Sequence, residues 1–308
     1  MEYVSMAMAA ILAAAGGAGP QDAVSQLPDV EVRAAPLSME TAETFVDEVS
    51  TRPWGALTLA RWEAPVCPEV LNLEGDKPGF ILWRIRLRAA QAGAPVGQVG
   101  CRPNVSIFMT ADGAATATAL IDHAPKSFRA SRSGTQRSRA ALRRFRETDA
   151  PVRWWHVSGL YDTHHRAFVN TSGSLPGAIN SDSSIYFNQN RRQAFLNAIV
   201  IVDVSQLESV QLGALADFLA FVILAEVEPE RPRLPVPSIL NLWRNGSDVE
   251  DLTPWDTGYL AGLYSANVRV SGSGTAVETG YQKTEIARTV LGAVREAPEC
   301  QAGCPGSD

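Results

Sequence analysis

Between Val210 and Glu230 the chain reads VQLGALADFLAFVILAEVEPE, an apolar run broken after Gln211 only by Asp217 and the closing acids. On a helix its apolar set, Leu212, Leu215, Phe218, Leu219, Val222 and Ile223, covers too wide an arc to leave one face for water. Such a helix belongs at the centre of a domain, with other elements packed around it. It does not suit a membrane: Leu212 to Val227 is 16 residues long and includes Asp217 and Glu226, against the roughly 20 apolar residues that a span requires.

The remaining pattern supplies what could surround it. Ser38 can cap a helix in which Ala42, Phe45, Val46 and Val49 recur at one face. GALTLARW alternates like a strand. KPGFILWRIRLRAAQAG carries Pro78 near its start and Gly93 at its end, as a helix should. NVSIFMT reads as a strand stopping at the turn dipeptide Asp112-Gly113, and VEVRA as a short strand opening the folded part. Strands and helices alternating over residues 29–123 imply a small α/β domain. In the second half, PVRWWHVSGLYD and NAIVIVDV read as strands, and Thr171 to Ser184 as a long Gly- and Ser-rich loop. TPWDTGYLAGLYS is a helix with Thr253 as N-cap, Pro254 at N1 and Asp256 at N3, and KTEIARTVLGAV is the last helix. The expected class is α+β: a small domain over 29–123, a linker over 124–150, a second domain over 151–297 built on the central helix, and a tail over 298–308.

The linker stands out by charge. Residues 126–146 contain eight basic side chains and no acidic one, while the whole 308-residue chain has a net charge of -6. Arg139, Arg143, Arg144 and Arg146 fall on a short helix there, a candidate contact for a polyanion or anionic lipid; the competing reading is a solvated connection balanced by an acidic neighbour. The overall negative charge argues against a surface adapted to nucleic acid. Of the 27 basic residues only Lys77, Lys126 and Lys283 are lysine.

Residues 1–18 combine an apolar stretch from Met6 to Ala15 with small residues suited to cleavage after Ala15 or Ala18, the pattern of a signal peptide, although no Lys or Arg precedes Arg33. The expectation is export to the periplasm or outside the cell, with no integral membrane segment once the leader is removed. Four cysteines, Cys67, Cys101, Cys300 and Cys304, suit that compartment and allow three connectivities. Cys67 with Cys101 and Cys300 with Cys304 is favoured, because the first two flank regular elements in Pro- and Gly-marked turns; neither pair has the spacing of a zinc knuckle.

Chemistry is harder to find. His156, His164 and His165 lie within ten positions of one another, and with Asp162 they form a candidate metal site. No two of the histidines have the four-residue spacing that places both imidazoles on one helix face. There is no G-x-S-x-G elbow and no P-loop. No cofactor is called for.

The order NAIVIVD, LADFLAFVILAEVEP, PSILNLW, LTPWDTGYLAGLYS resembles uncharacterised exported proteobacterial proteins and, more distantly, zincin-like peptidases. Trp255, Asp256, Tyr259, Leu260, Leu263 and Tyr264 carry the likeness, which covers about 70 residues. RWEAPVCPEV and GCRPNVSIF look like the same exported proteins. The resemblance implies a zincin-like second domain, but its metal-binding positions would fall near Asp217 to Phe221, where this chain reads DFLAF. That implies a degenerate scaffold: an exported, non-catalytic module binding an unidentified protein or envelope component. The alternative is a metal-dependent periplasmic hydrolase using the histidine cluster beside the Thr171 to Ser184 loop.

Overall fold

The computed structural model describes residues 37–51, 56, 58–128, 138–170, 179–180, 191–207, 210–229, 231, 233–244, 249–266 and 275–298. VEVRA, residues 1–18 read as a leader, Cys300 and Cys304 lie outside them. The fold is α+β. Its described elements run α1 (Met39–Val49), β1 (Pro68–Leu71), α2 (Lys77–Ala92), β2 (Val105–Thr110), α3 (Gly113–His123), α4 (Arg139–Glu147), β3 (Val152–Asp162), β4 (Ala167–Asn170), β5 (Ile179–Asn180), β6 (Arg191–Asp203), α5 (Leu212–Leu224), α6 (Pro254–Ser265) and α7 (Thr275–Glu296).

One mixed sheet holds the strands in the order β1-β2-β6-β3-β4-β5. β1, β2 and β6 are parallel, and β3 runs antiparallel to β6 and β4. Side chains alternate across it, as strand geometry requires. Val105, Ile107, Val152, Trp154, Val200 and Val202 face a core shared with α1, α2, α5, α6 and α7. Trp155, Val157, Ile199 and Ile201 face a smaller core with α3 and α4.

This arrangement corrects the expected division into two domains. β2 pairs with β6 along its whole length, so strands from both halves of the chain share one sheet and one core. Nor are the described residues of 124–150 a free linker: Ala141 and Phe145 of α4 are buried against Phe128 and Trp155. The described residues of GALTLARW do not form a strand. Among its described residues only Arg61 makes a bridge, to Ala194, while Leu59, Ala60 and Trp62 serve as core side chains. The Asp112-Gly113 turn is the start of a helix, with the Asp112 carboxylate accepting from Ala115 N at 2.8 Å.

The central helix is enclosed as its composition demands. Every residue of α5 from Ala214 to Leu224 is buried, which leaves its last carbonyls with no access to water and in need of partners. Trp62 Nε1 donates to Ile223 O at 2.8 Å, and Tyr264 Oη donates to Leu224 O at 2.9 Å. Trp154 Nε1 extends the set to Val227 O at 3.1 Å.

α6 is held at both ends. Thr253 and Asp256 form a reciprocal capping box at its start. The fully buried Asp256 also accepts from Ser238 Oγ at 2.5 Å and Ile239 N at 2.7 Å. Burial pushes its carboxyl up to about 6 against the pull of these donors. At the other end Arg61 Nη1 donates to the Leu263 and Tyr264 carbonyls at 3.1 and 2.7 Å. Between the ends, Gly258 and Gly262 let α7 approach closely: an added Cβ would lie 2.7 Å from Val290 Cα and 2.9 Å from Ile286 Cα.

Cys67 and Cys101 form a disulfide across 34 residues, tying the α2–β2 connection to the start of β1. Replacing both by serine is expected to cost about 3–4 kcal/mol in the chain-entropy account, measured by urea unfolding of the oxidised wild type and the variant. Gly258→Ala and Gly262→Ala should each cost about 1–3 kcal/mol through overpacking. Gly292→Ala, where an added Cβ meets nothing within 4 Å, should be neutral or slightly stabilising. Equal unfolding midpoints for all three glycine variants would contradict the close α6–α7 approach.

Candidate functional site

Two features of the α5 side of the sheet bear on function, an ion cluster and a crevice. The cluster arises because Asp217 lies in the apolar centre of α5 with no exposed side-chain surface. An ionised carboxylate there must be paired and hydrogen-bonded. α2 meets this need with Arg84 and Arg88, four residues apart and so on one helix face. Arg84 donates through Nε at 2.7 Å and Nη2 at 2.9 Å, and Arg88 through Nε at 2.8 Å and Nη2 at 2.7 Å. Leu252 N adds a fifth donor at 3.2 Å. Two forks thus share one carboxylate, and both guanidinium groups also reach the exposed Asp251. Burial alone would raise Asp217, but the Arg84 and Arg88 hydrogen bonds outweigh it and hold the carboxyl well below the usual range. Asp251 moves upward, through burial and then its neighbour Asp217. With two positive and two negative groups, the cluster is a satisfied structural joint between α2 and α5.

The crevice follows from topology. After β1 the chain turns through Asn72, at φ 61°, and Gly75, at φ 75°, into α2 on one face of the sheet. After β2 it turns at Asp112 into α3 on the opposite face. Adjacent parallel strands whose connections leave to opposite faces cannot close over their own carboxyl ends, and ligands in open α/β sheets bind in the gap that results. Here the gap is a cavity of about 560 Å³, within the 300–1,000 Å³ usual for small-molecule sites.

Its floor is apolar core: Ile81 of α2, Met109 of β2 and Leu215 of α5. Leu73, Val210 and Leu212 build half-buried walls, and the polar lining side chains are Asn72, Lys77 and Thr110. Thr110 Oγ1 is engaged locally with Thr116 Oγ1 at 2.9 Å and Asp112 N at 3.2 Å. Lys77 is exposed and makes no ion pair among the described residues.

The residues singled out from sequence lie elsewhere. His156 is buried in the middle of β3, stacked on Phe195 with ring centroids 4.5 Å apart. Asp162 ends the same strand, roughly 20 Å further along at the usual rise per residue. Its Oδ1 accepts from the backbone N of His164 at 3.0 Å and of His165 at 2.9 Å, shaping the turn into β4. His165 Nδ1 lies 3.1 Å from that oxygen. The expected cluster is therefore split: Asp162 gathers His164 and His165, and strand length keeps His156 away. Among the described residues no group of three or more His, Cys, Asp or Glu side chains is placed to hold a metal ion. Of the Thr171 to Ser184 loop only residues 179–180 are described. No described helix is long and apolar enough to cross a membrane.

Of the four α4 arginines, two are engaged within the fold. Arg146 Nη2 lies 3.0 Å from Asp122 and Arg144 Nη2 lies 3.8 Å from Glu228, while Arg139 and Arg143 are exposed. Asp217, offered only as a position where a metal ligand is missing, is instead the carboxylate of the ion cluster. Phe218 to Phe221 fill the core around it. No family model, curated protein or solved structure matches this chain.

Two sequence signals pointed to these features. A lone acid inside an apolar helix demands a buried cation, and Arg84 and Arg88 sit four residues apart on a helix with an apolar face of its own. The crevice had a weaker mark, the turn chemistry of LNLEGDKP, but β1 before it is only four residues long.

Asp217→Asn should cost about 3–5 kcal/mol, because it leaves two arginines facing a buried amide. The pH dependence has a definite sign. A carboxyl depressed on folding contributes its stability fully above its unfolded value, near pH 4, and loses it as pH falls through the folded value. The wild-type advantage over the Asn variant should be constant from about pH 5 to 7 and shrink in stronger acid, as measured by urea unfolding at several pH values. A difference that grows on acidification would contradict this pairing.

Proposed function

We propose that the protein is an exported, non-catalytic binding module that holds a small, largely apolar ligand in the crevice at the carboxyl ends of β1, β2 and β6. The observation that carries this reading is the apolar cavity of about 560 Å³ where the connections after β1 and β2 part. Its polar lining groups, an amide, a hydroxyl and an ammonium, are suited to orienting a ligand. Export is supported by the leader-like residues 1–18 and by the Cys67–Cys101 disulfide, which persists in oxidising compartments. Association with a protein or envelope partner has a candidate surface in Phe80 and Trp83, exposed on α2 with ring centroids 5.7 Å apart. On this reading the zincin-like likeness of the second half concerns the scaffold only.

The test uses the neutral apolar fluorophore N-phenyl-1-naphthylamine. Wild type should bind it saturably at one site per chain. Leu73→Trp and Val210→Trp, which add bulk to half-buried walls, should weaken binding at least tenfold while unfolding midpoints stay close to wild type. Absence of saturable binding, or binding unchanged in both variants, would remove the crevice as the functional site.

A further inference from the structure

The crevice has a polarity that narrows its ligand further, and the inference rests on the binding reading above. At one end lie Ile81, Met109 and Leu215, closed by apolar core; at the rim lies Lys77, the first residue of α2. The first residue of α5, Leu212, lines the same cavity. Neither helix has a side-chain hydrogen bond at its N-cap or an acidic residue in its first turn. Gln211, the N-cap of α5, instead donates its amide to Glu250 at 2.6 Å.

Helix amino ends carry partial positive charge and free backbone N–H groups. The amino ends of α2, less the donor that Pro78 lacks, and of α5 therefore add to the Lys77 ammonium along the cavity lining. Nearby acids do not cancel this arrangement. Glu74 and Asp76, the N-cap of α2, are exposed like Lys77 but, unlike it, do not line the cavity. Asp203, at the end of β6, is turned to its own donors, Gly113 N at 2.9 Å and Ser205 Oγ at 2.6 Å.

We propose that the ligand is a straight-chain amphiphile with one anionic head, a fatty monocarboxylate, whose chain lies on the apolar floor and whose carboxylate faces Lys77 and the amino ends of α2 and α5. Size sets the chain length. At roughly 30 Å³ for each water-sized group, the cavity of about 560 Å³ accommodates on the order of 15 to 20 non-hydrogen atoms, a carboxylate of about 13 to 18 carbons at most.

Calorimetric titration of the full chain, below micellar concentrations, separates the parts of this proposal. The probes are dodecanoate, dodecanol, dodecyltrimethylammonium and acetate, against wild type and Lys77→Gln. Dodecanoate should bind at least tenfold more tightly than the alcohol or the cation, and acetate should not compete. Lys77→Gln should lose most of that preference while keeping its unfolding midpoint and its affinity for dodecanol. Equal binding of the three chain-bearing probes, or a preference untouched in Lys77→Gln, would overturn the head-group assignment and leave the crevice standing. Competition by acetate at concentrations like those of dodecanoate would overturn the role of the chain. No saturable binding of any probe, together with no binding of the neutral fluorophore, would overturn the crevice reading itself.

Discussion

Everything on the larger side of the sheet depends on enclosing α5. A helix buried all round gains apolar burial along its whole length, but it removes one charge and its terminal carbonyls from water. Each unpaired group would cost on the order of 1–3 kcal/mol or more, so the surrounding elements must bring partners with them. Arg84 and Arg88 fix α2 against Asp217, Trp62 fixes the segment before β1 against Ile223, and Tyr264 fixes α6 against Leu224. The positions of the neighbours are thus set by polar demands of the helix they cover as much as by apolar packing. The close α6–α7 approach at Gly258 and Gly262 completes the layer.

The same enclosure creates the crevice. α5 starts on the side where β6 ends, and α2 starts where β1 ends, so both amino ends come to the carboxyl edge of the parallel strands. The connection after β2 leaves to the other face, and no element crosses the gap among the described residues. The cavity is thus a consequence of strand order and of which face each helix takes, and its charge asymmetry follows from helix direction. The ion cluster lies on the same two helices, with Arg84 and Arg88 beyond Lys77 and Ile81 along α2. Fixing those helices also fixes the cavity walls.

Where the sequence was readable, a strong local signal was present. Ser38, Asp112, Ser138 and Thr253 all cap helices through their side chains, and two of these were readable, Ser38 because apolar periodicity follows it and Thr253 because Pro254 and Asp256 mark a helix start. α3 was missed behind Asp112 because its run, GAATATALIDH, is made of small residues with little contrast between faces. GALTLARW failed for another reason. It alternates like a strand, but its partners are Ile223 and Gln282, more than a hundred residues away, and they bind it as an irregular segment. The histidine cluster looked compact in sequence because ten positions are few; in an extended strand they are long.

The sequence alone determined that α5 must be central, that α1, α2 and α6 are amphipathic or well capped, that β3 and β6 are strands, and that Cys67 and Cys101 are plausible partners. These are properties of composition, periodicity and capping within a few turns of chain. Tertiary structure decided the rest: that one sheet joins both halves, that Asp217 belongs to Arg84 and Arg88, that α4 closes a second core, and that a cavity opens beside Lys77. Each of these depends on which strand pairs with which and on the face each connection takes. Such contacts form between residues far apart in the chain, where short-range periodicity carries no information.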